Sequence, residues 1–340
     1  MNVLLTSVGR RCYLVEYFKQ ELAGKGHVIG VNSDPLTSGM AAVDRRYTVP
    51  PIDDDAYIPR LLEICQEESI GLMLSLFDID LPILARHRDQ FEAMGISVVV
   101  SDPWVVEAAN DKWLTYGLLL EHGLGTPLTF LGLESARSAL KRGELDFPVI
   151  VKPRWGMGSI SIYTAEDMEE LEFFYRYALK NIAASYLNIL ARSDMDHAVI
   201  VQEKVQGQEY GVDVLNDLDG NFLTSVVKKK IAMRSGETDI AVTEDNELVR
   251  HITESLGVLL KHRGSLDVDI IFDESTGDSK VIEFNARFGG GYPFSHLAGA
   301  NFVSALLSLA QGQLVDIKCF SYIRGVQGVK AIVPTTLTDY

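Results

Sequence analysis

Between residues 3 and 101, four short β-branched or aliphatic runs (3–7, 27–32, 71–76 and 96–101) alternate with helical patterns that begin at Arg11, Tyr57 and Leu81. No other feature restricts the fold as much, because strands separated by helices are joined by crossovers, and crossovers build a parallel, doubly wound sheet. In the first helical stretch Leu14, Phe18 and Leu22 recur at i, i+4 and i+8, one apolar stripe to lay on a sheet, and Gly24 and Gly26 supply its stop. The loop Ser7-Val8-Gly9-Arg10 then falls at the carboxyl edge, where open α/β sheets take ligands. It lacks the second and third glycines of a dinucleotide fingerprint, so a nicotinamide oxidoreductase is not expected.

The pattern changes after residue 105, where a domain boundary is expected. Asp102-Pro103 and Asp111 read as helix starts, and Pro127, Gly132 and the stretch 143–148 lead into a strand at Val149-Ile150-Val151. Residues 165–192 read as mainly helical, followed by strands at 199–204, 210–215, 223–231, 265–272 and 280–284, the last two forming a hairpin across 273–279. A length of 340 residues suits about two domains. With 31 Lys and Arg against 47 Asp and Glu the formal charge is −16, which disfavours a protein that coats nucleic acid. Cys12, Cys65 and Cys319 are isolated, without metal or disulfide spacing, and no 18-residue apolar run is present. A soluble cytoplasmic protein with no membrane partner is expected.

Three constellations carry chemistry. Lys152 ends the strand at 149–151 and is followed by Gly156, Gly158, Ser159 and Ser161. Small residues let backbone N–H groups approach phosphate oxygens while the ammonium adds a point charge, although an ordinary hairpin turn would look the same. Ser265-Leu-Asp-Val-Asp-Ile-Ile-Phe272 pairs with Val281-Ile-Glu-Phe-Asn-Ala-Arg287. Alternate side chains share a strand face, so Glu283, Asn285 and Arg287 project together with Asp269 opposite. Two carboxylates and an amide oxygen are hard ligands for magnesium, and Arg287 would face charge developing on a phosphoryl group. The third is Lys228-Lys229-Lys230 with Arg234, where Lys228, Lys230 and Arg234 either line a cleft for an anionic substrate or alternate along an exposed strand. Gly289-Gly-Gly291 directly after Arg287 allows close backbone approach to a substrate.

Read in order, Lys112, Lys152 with its glycine loop, Glu203 to Glu209, then Asp269, Glu283, Asn285 and Arg287, the chain resembles the ATP-grasp superfamily. More narrowly it is similar to half of a carbamoyl-phosphate synthase large subunit. The resemblance implies a Rossmann-like pre-ATP-grasp domain over residues 1–105, then an α+β first lobe over 106–200 and a second lobe over 201–340. It implies that Lys112 and Lys152 contact phosphates, that the backbone of Glu203, Lys204 and Val205 meets adenine, and that Glu209 holds the ribose. Asp269, Glu283 and Asn285 would ligate magnesium, or manganese in its place. The expected activity is ATP-dependent joining of a carboxylate to an amine or thiol through an acyl phosphate. The alternatives are a kinase-like phosphotransferase and a non-catalytic ATP-binding module. One ATP-grasp unit without a glutaminase does not predict carbamoyl phosphate from glutamine, and a homodimer is an expectation of the resemblance alone.

Overall fold

In the computed structural model, which describes residues 1–337, the opening alternation forms five parallel strands. They are β1 (Asn2–Thr6), β2 (Val28–Asn32), β3 (Arg45–Thr48), β4 (Ile70–Ser75) and β5 (Ser97–Val99), in the order β3-β2-β1-β4-β5. Helices Cys12–Leu22, Tyr57–Glu67 and Leu81–Glu92 start within a residue of the positions their apolar spacing predicts. The strand at β3 has no counterpart in the sequence reading, for a physical reason: it is an edge strand of sequence Arg-Arg-Tyr-Thr, with three of its four residues exposed and no apolar run to mark it. The chain moves outward from β1 through β2 to β3 and then returns to place β4 on the other side of β1. That reversal opens a crevice at the carboxyl ends of β1 and β4.

Buried Asp80 fixes the two loops that line this crevice. Its carboxylate accepts hydrogen bonds from Thr6 Oγ1, from Ser7 Oγ at 3.1 Å, from Ser75 Oγ at 2.9 Å and from Tyr57 Oη at 2.8 Å. Four donors from three segments hold residues 6–7 and 75–80 in one arrangement.

Two antiparallel sheets follow. The first has the order β6-β9-β7-β8, from β6 (Thr129–Leu131), β7 (Val149–Pro153), β8 (Tyr163–Ala165) and β9 (Val199–Glu203). The second has the order β14-β13-β10-β11-β12-β15, from β10 (Gln208–Asn216), β11 (Phe222–Arg234), β12 (Glu237–Thr243), β13 (Gly264–Phe272), β14 (Ser279–Asn285) and β15 (Gln327–Val329). The hairpin across 273–278 sets Asp269 opposite Glu283 and Asp267 opposite Asn285. Helix Met168–Ala183 covers the four-stranded sheet, with Leu171, Tyr175, Ala178 and Ile182 turned inward. Asp111 caps helix Lys112–Glu121, accepting from the Trp113 and Leu114 amides. Asp102 precedes Pro103 as expected but does not cap; its carboxylate pairs with Arg88 at 2.7 Å.

Apolar side chains of the parallel sheet and the six-stranded sheet merge into common cores, Leu4, Ile29 and Met73 belonging to the cluster that holds Val212, Leu266 and Phe284. The four-stranded sheet has its own core around Val149, Val151, Leu171, Ile182 and Val201. No helix among the described residues is long and apolar enough to cross a membrane.

Candidate active site

A cavity of about 580 Å³ lies between the two antiparallel sheets. Lys112, Lys152, Gly156, Gly158, Ser159, Glu203, Lys204, Val205 and Glu209 all line it, together with Asp269 and Glu283. Its apolar wall comes from Ile150, Ile160, Ile162, Ile271 and Ile282, a surface suited to a planar ring.

The cations in this cavity are expensive to hold there. Lys152 is 3% exposed, and its ammonium makes no hydrogen bond or close ion pair among the described residues. Burial, and then the neighbouring charge of Lys112, push its ammonium down to about 8. Lys112, also buried, donates to the Gly156 carbonyl and lies 3.2 Å from Glu283 Oε2. Burial alone would raise Glu283, but Lys112 and Lys152 outweigh it and hold the carboxyl at about 2. Behind the lysines Arg154 forks onto Asp111, with Nε at 2.8 and 2.9 Å from its two oxygens and Nη2 at 2.7 Å. Asp111 therefore both caps the helix that begins with Lys112 and anchors the strand that presents Lys152. Gly158, Ser159 and Ser161 in the following loop all have positive φ, at 63°, 57° and 58°.

A second cavity, of about 270 Å³, adjoins the first and shares Met157, Gly158, Met233, Gly236, Asp269 and Glu283 with it. It is closed by the crevice loops of the parallel sheet, Ser7 to Arg11 and Leu76 to Asp78, and by Asn285, Arg287 and Gly290 to Gly291. Arg287 is held by Asp78, with Nε at 2.9 Å and Nη2 at 2.8 Å from Oδ2, and by Asp267 at 3.4 Å. Lys230 bridges Glu209 and Asp269, each at 2.7 Å. Burial, together with the charges of Asp267, Glu209 and Glu283, raises Asp269 to about 7 in spite of Lys230.

Asp269, Glu283 and Asn285 thus gather on one sheet face as hard oxygen donors, with Asp267 beside them. Among the described residues no group of three or more His, Cys, Asp or Glu forms a self-sufficient metal cage. Such a donor set fits magnesium, which takes one or two carboxylates and completes its shell with water and substrate phosphate.

Of the basic run, only Lys230 reaches the cavities. Lys228 is 1% exposed, pairs with Asp213 and lies 3.0 Å from Ser295 Oγ beneath the glycine loop. Arg234, at the tip of β11, pairs with Asp239 and donates to the Lys330 carbonyl at 3.0 Å. The alternation that places Lys228 and Lys230 on one face is present, but β11 runs from the core to the cleft, so that face is packed in the core at Lys228 and lines the cavity at Lys230. The sequence marks Asp111 as a helix start but assigns no site role to it or to Asp78, Asp267 or Arg154. Asp267 and Asp111 lay inside motifs already noted, and Phe77-Asp-Ile-Asp80 directly after an apolar strand was the available signal for Asp78.

Residues 3–99 match the family described as "PylC-like, N-terminal domain", and residues 109–291 match the "ATP-grasp domain". The carbamoyl-phosphate synthase of Methanobrevibacter smithii is 23% identical over 322 residues, covering 90% of this chain and 80% of its own. The carbamoyl phosphate synthase large chain of Corynebacterium glutamicum is 26% identical over 300 residues, and this chain spans 25% of it. Among solved structures, the L-amino acid ligase of Bacillus licheniformis aligns with a TM-score of 0.72 at 19% identity, covering 98% of this chain and 81% of the ligase. The biotin carboxylase domain of Hydrogenobacter thermophilus 2-oxoglutarate carboxylase, solved with MgADP and bicarbonate, aligns with a TM-score of 0.71 at 18% identity, covering 92% and 70%.

Proposed function

Because the chain belongs to the ATP-grasp family, we propose that it is a ligase that activates a carboxylate with ATP and passes the acyl group to an amine, releasing ADP and phosphate. The observation that carries the reading is the juxtaposition of two buried lysines with two carboxylates across one cavity that opens into a second. A buried ammonium costs free energy unless an anion meets it, and Lys152 has the charges of Glu283 and Asp269 in its neighbourhood but no hydrogen bond or close ion pair to either among the described residues. Nucleotide phosphates supply that anion.

In this reading the nucleotide base packs among the isoleucines of the larger cavity against the backbone of Glu203 to Val205, and Glu209 receives the ribose. Lys112 and Lys152 take phosphate oxygens, and the Gly156–Ser159 loop closes over them. Asp269, Glu283 and Asn285 would hold magnesium, whose charge offsets that of the phosphates when it is bound. The substrate carboxylate enters the smaller cavity, and its oxygen attacks the terminal phosphorus as the bond to the ADP oxygen breaks. Arg287, fixed by Asp78 and Asp267, faces the charge that accumulates in this step. The acceptor nitrogen then attacks the acyl carbon, the carbon–oxygen bond to phosphate breaks, phosphate leaves with the electron pair, and the nitrogen loses its proton. Closure of the Gly156–Ser159 loop over bound nucleotide excludes bulk water, which would otherwise hydrolyse the acyl phosphate.

The test is product analysis with Mg-ATP and pooled carboxylates and amines, resolving ADP, AMP, phosphate and conjugates. ADP and phosphate that rise only with a carboxylate–amine pair, together with the conjugate, support the ligase. AMP would replace the phosphorylation step with adenylation, and a stable phosphorylated product without a conjugate would make the protein a kinase.

A further inference from the structure

The six-stranded sheet ends in two edges of different character. At β14 the edge is covered: the Val281 N–H donates to the Gly125 carbonyl at 2.8 Å, and Lys280 pairs with Glu203. At β15 no strand or loop lies alongside among the described residues. The Lys330 N–H donates to the Asp239 carbonyl and the Val326 carbonyl accepts from the Thr243 N–H, so residues 326, 328 and 330 turn their backbone groups toward β12. The alternation points those of Gln327, Val329 and Ala331 outward, where none of them meets a backbone partner among the described residues.

This edge also lacks the charges that keep exposed strands apart. β3, at the rim of the parallel sheet, carries Arg45 and Arg46, whereas the one charged residue between Gln327 and Val333 is Lys330, which is engaged with Glu237 at 3.0 Å. Apolar side chains stand there instead: Leu297, Ile323, Val329, Ile332 and Val333 are between 62% and 78% exposed. They occupy both faces. A Cβ at Gly328 would meet Phe294 and Leu297 at 2.8 and 3.3 Å, so helix Tyr292–Leu297 lies against one face of β15, and Val329, the next residue along, points to the other. Apolar surface on both faces of a single edge is covered by an added strand, which has side chains on both sides, and not by a body packed on one face. Together the five side chains expose on the order of 600 Å², as much as the largest apolar patch of an ordinary monomer and close to the roughly 800 Å² that each partner gives to a standard interface.

We propose that β15 pairs antiparallel with β15 of a second copy of the chain, about a twofold axis between the two Val329 residues, so that the two six-stranded sheets join into one. In this register Val329 exchanges both N–H···O bonds with its counterpart, and Gln327 faces Ala331 on either side of the axis. Lys330 falls opposite Gly328, so the lysine does not meet itself. The edge is thus complementary to its own copy, as a twofold interface requires. The interface backs onto the smaller cavity, because Glu237 lines that cavity and helix Tyr292–Leu297 directly follows its glycine run. The proposal is independent of the ligase reading.

The test is sedimentation of the full chain between about 1 and about 100 µM, where a dimer that dissociates on dilution is expected. Val329→Pro removes an outward N–H and leaves the ladder to β12 whole, and Val329→Lys sets two ammonium groups against each other across the axis. Either should raise the dissociation constant roughly 100-fold while the far-UV spectrum stays as it was. Val329→Cys should link to its counterpart under mild oxidation, because facing residues in such a pair lie about 5.5 Å apart at Cα, within the span of a disulfide. Leu314→Cys, at a side chain 99% exposed, measures linking by collision alone. The cysteine variant keeps the test decisive if Val329→Pro disturbs the strand. A chain that stays monomeric at the highest concentration overturns the proposal. A dimer that Val329→Lys leaves intact, or one in which Val329→Cys links no faster than Leu314→Cys, overturns it as well and puts the contact elsewhere.

Discussion

Glu283 sits at the seam of the two cavities, ionised because Lys112 and Lys152 overcome the effect of its burial. Glu283→Gln keeps the shape and removes the charge, leaving two lysines facing each other with less to hold them. Turnover should fall by roughly 10²–10³, the usual loss for one preorganised electrostatic group, while the far-UV spectrum and the melting midpoint change little. Full ADP release by the variant would remove Glu283 from the proposed site. His262 is a residue of the opposite kind, wholly buried, with neither ring nitrogen hydrogen-bonded and its pKa pushed by burial down to about 3. The unfolded chain takes up a proton near 6.5 and the folded chain does not, so the stability held above that pH is lost progressively as pH falls toward 3. His262→Leu should flatten this part of the pH–stability curve in urea titrations at pH 7 and pH 5. An unchanged difference between the two pH values would mean that other groups cause the acid loss.

The turn between β11 and β12 touches the glycine loop after β7. A Cβ at Gly236, where φ is +78°, would lie 2.0 Å from the Gly158 carbonyl oxygen. Both glycines line both cavities, so this contact is where two elements meet over the seam. Gly236→Ala should force them apart, raising KM for ATP severalfold and exposing residues 154–161 to protease even with Mg-ADP present. Equal nicking of variant and wild type would show that the loop closes without the turn. Elements of this sort also mark what could be read beforehand. The parallel strands and their helices were legible because burial on one side imprints a period, and the Asp267–Arg287 hairpin was legible because its acids interrupt an apolar pattern. β3 and β15 carry no such imprint, since exposed edges need none, and β12 follows a turn whose purpose lies in a contact with a loop 78 positions earlier, between Gly158 and Gly236.

At the scale of the molecule the same distinction governs the site. Residues local to one hairpin could be grouped from the sequence, but Arg10, Asp78 and Arg287 line one cavity only because β1 and β4 end beside the six-stranded sheet. The cores make that joint firm: the parallel and six-stranded sheets share apolar clusters, while the four-stranded sheet is packed mainly on itself. What links it to the rest includes polar pairs such as Lys112–Glu283 and Arg192–Asp53, the latter at 3.3 Å and exposed, worth little in water. The four-stranded sheet should therefore open on its own. In hydrogen exchange, amides of β7 and β9 should exchange faster than those of β10 and β13 when nucleotide is absent. Opening this sheet destroys the larger cavity, so a bound ligand must leave first. With Mg-ADP at 100 times its Kd, exchange in β7 and β9 should slow about 100-fold, equivalent to about 2.7 kcal/mol. Equal protection of both sheets without nucleotide would mean one cooperative unit, and unchanged β7 and β9 rates with nucleotide would place the ligand elsewhere. The outcome bears on catalysis as well as stability, because a lobe that opens independently is the part of the molecule free to admit ATP and release ADP.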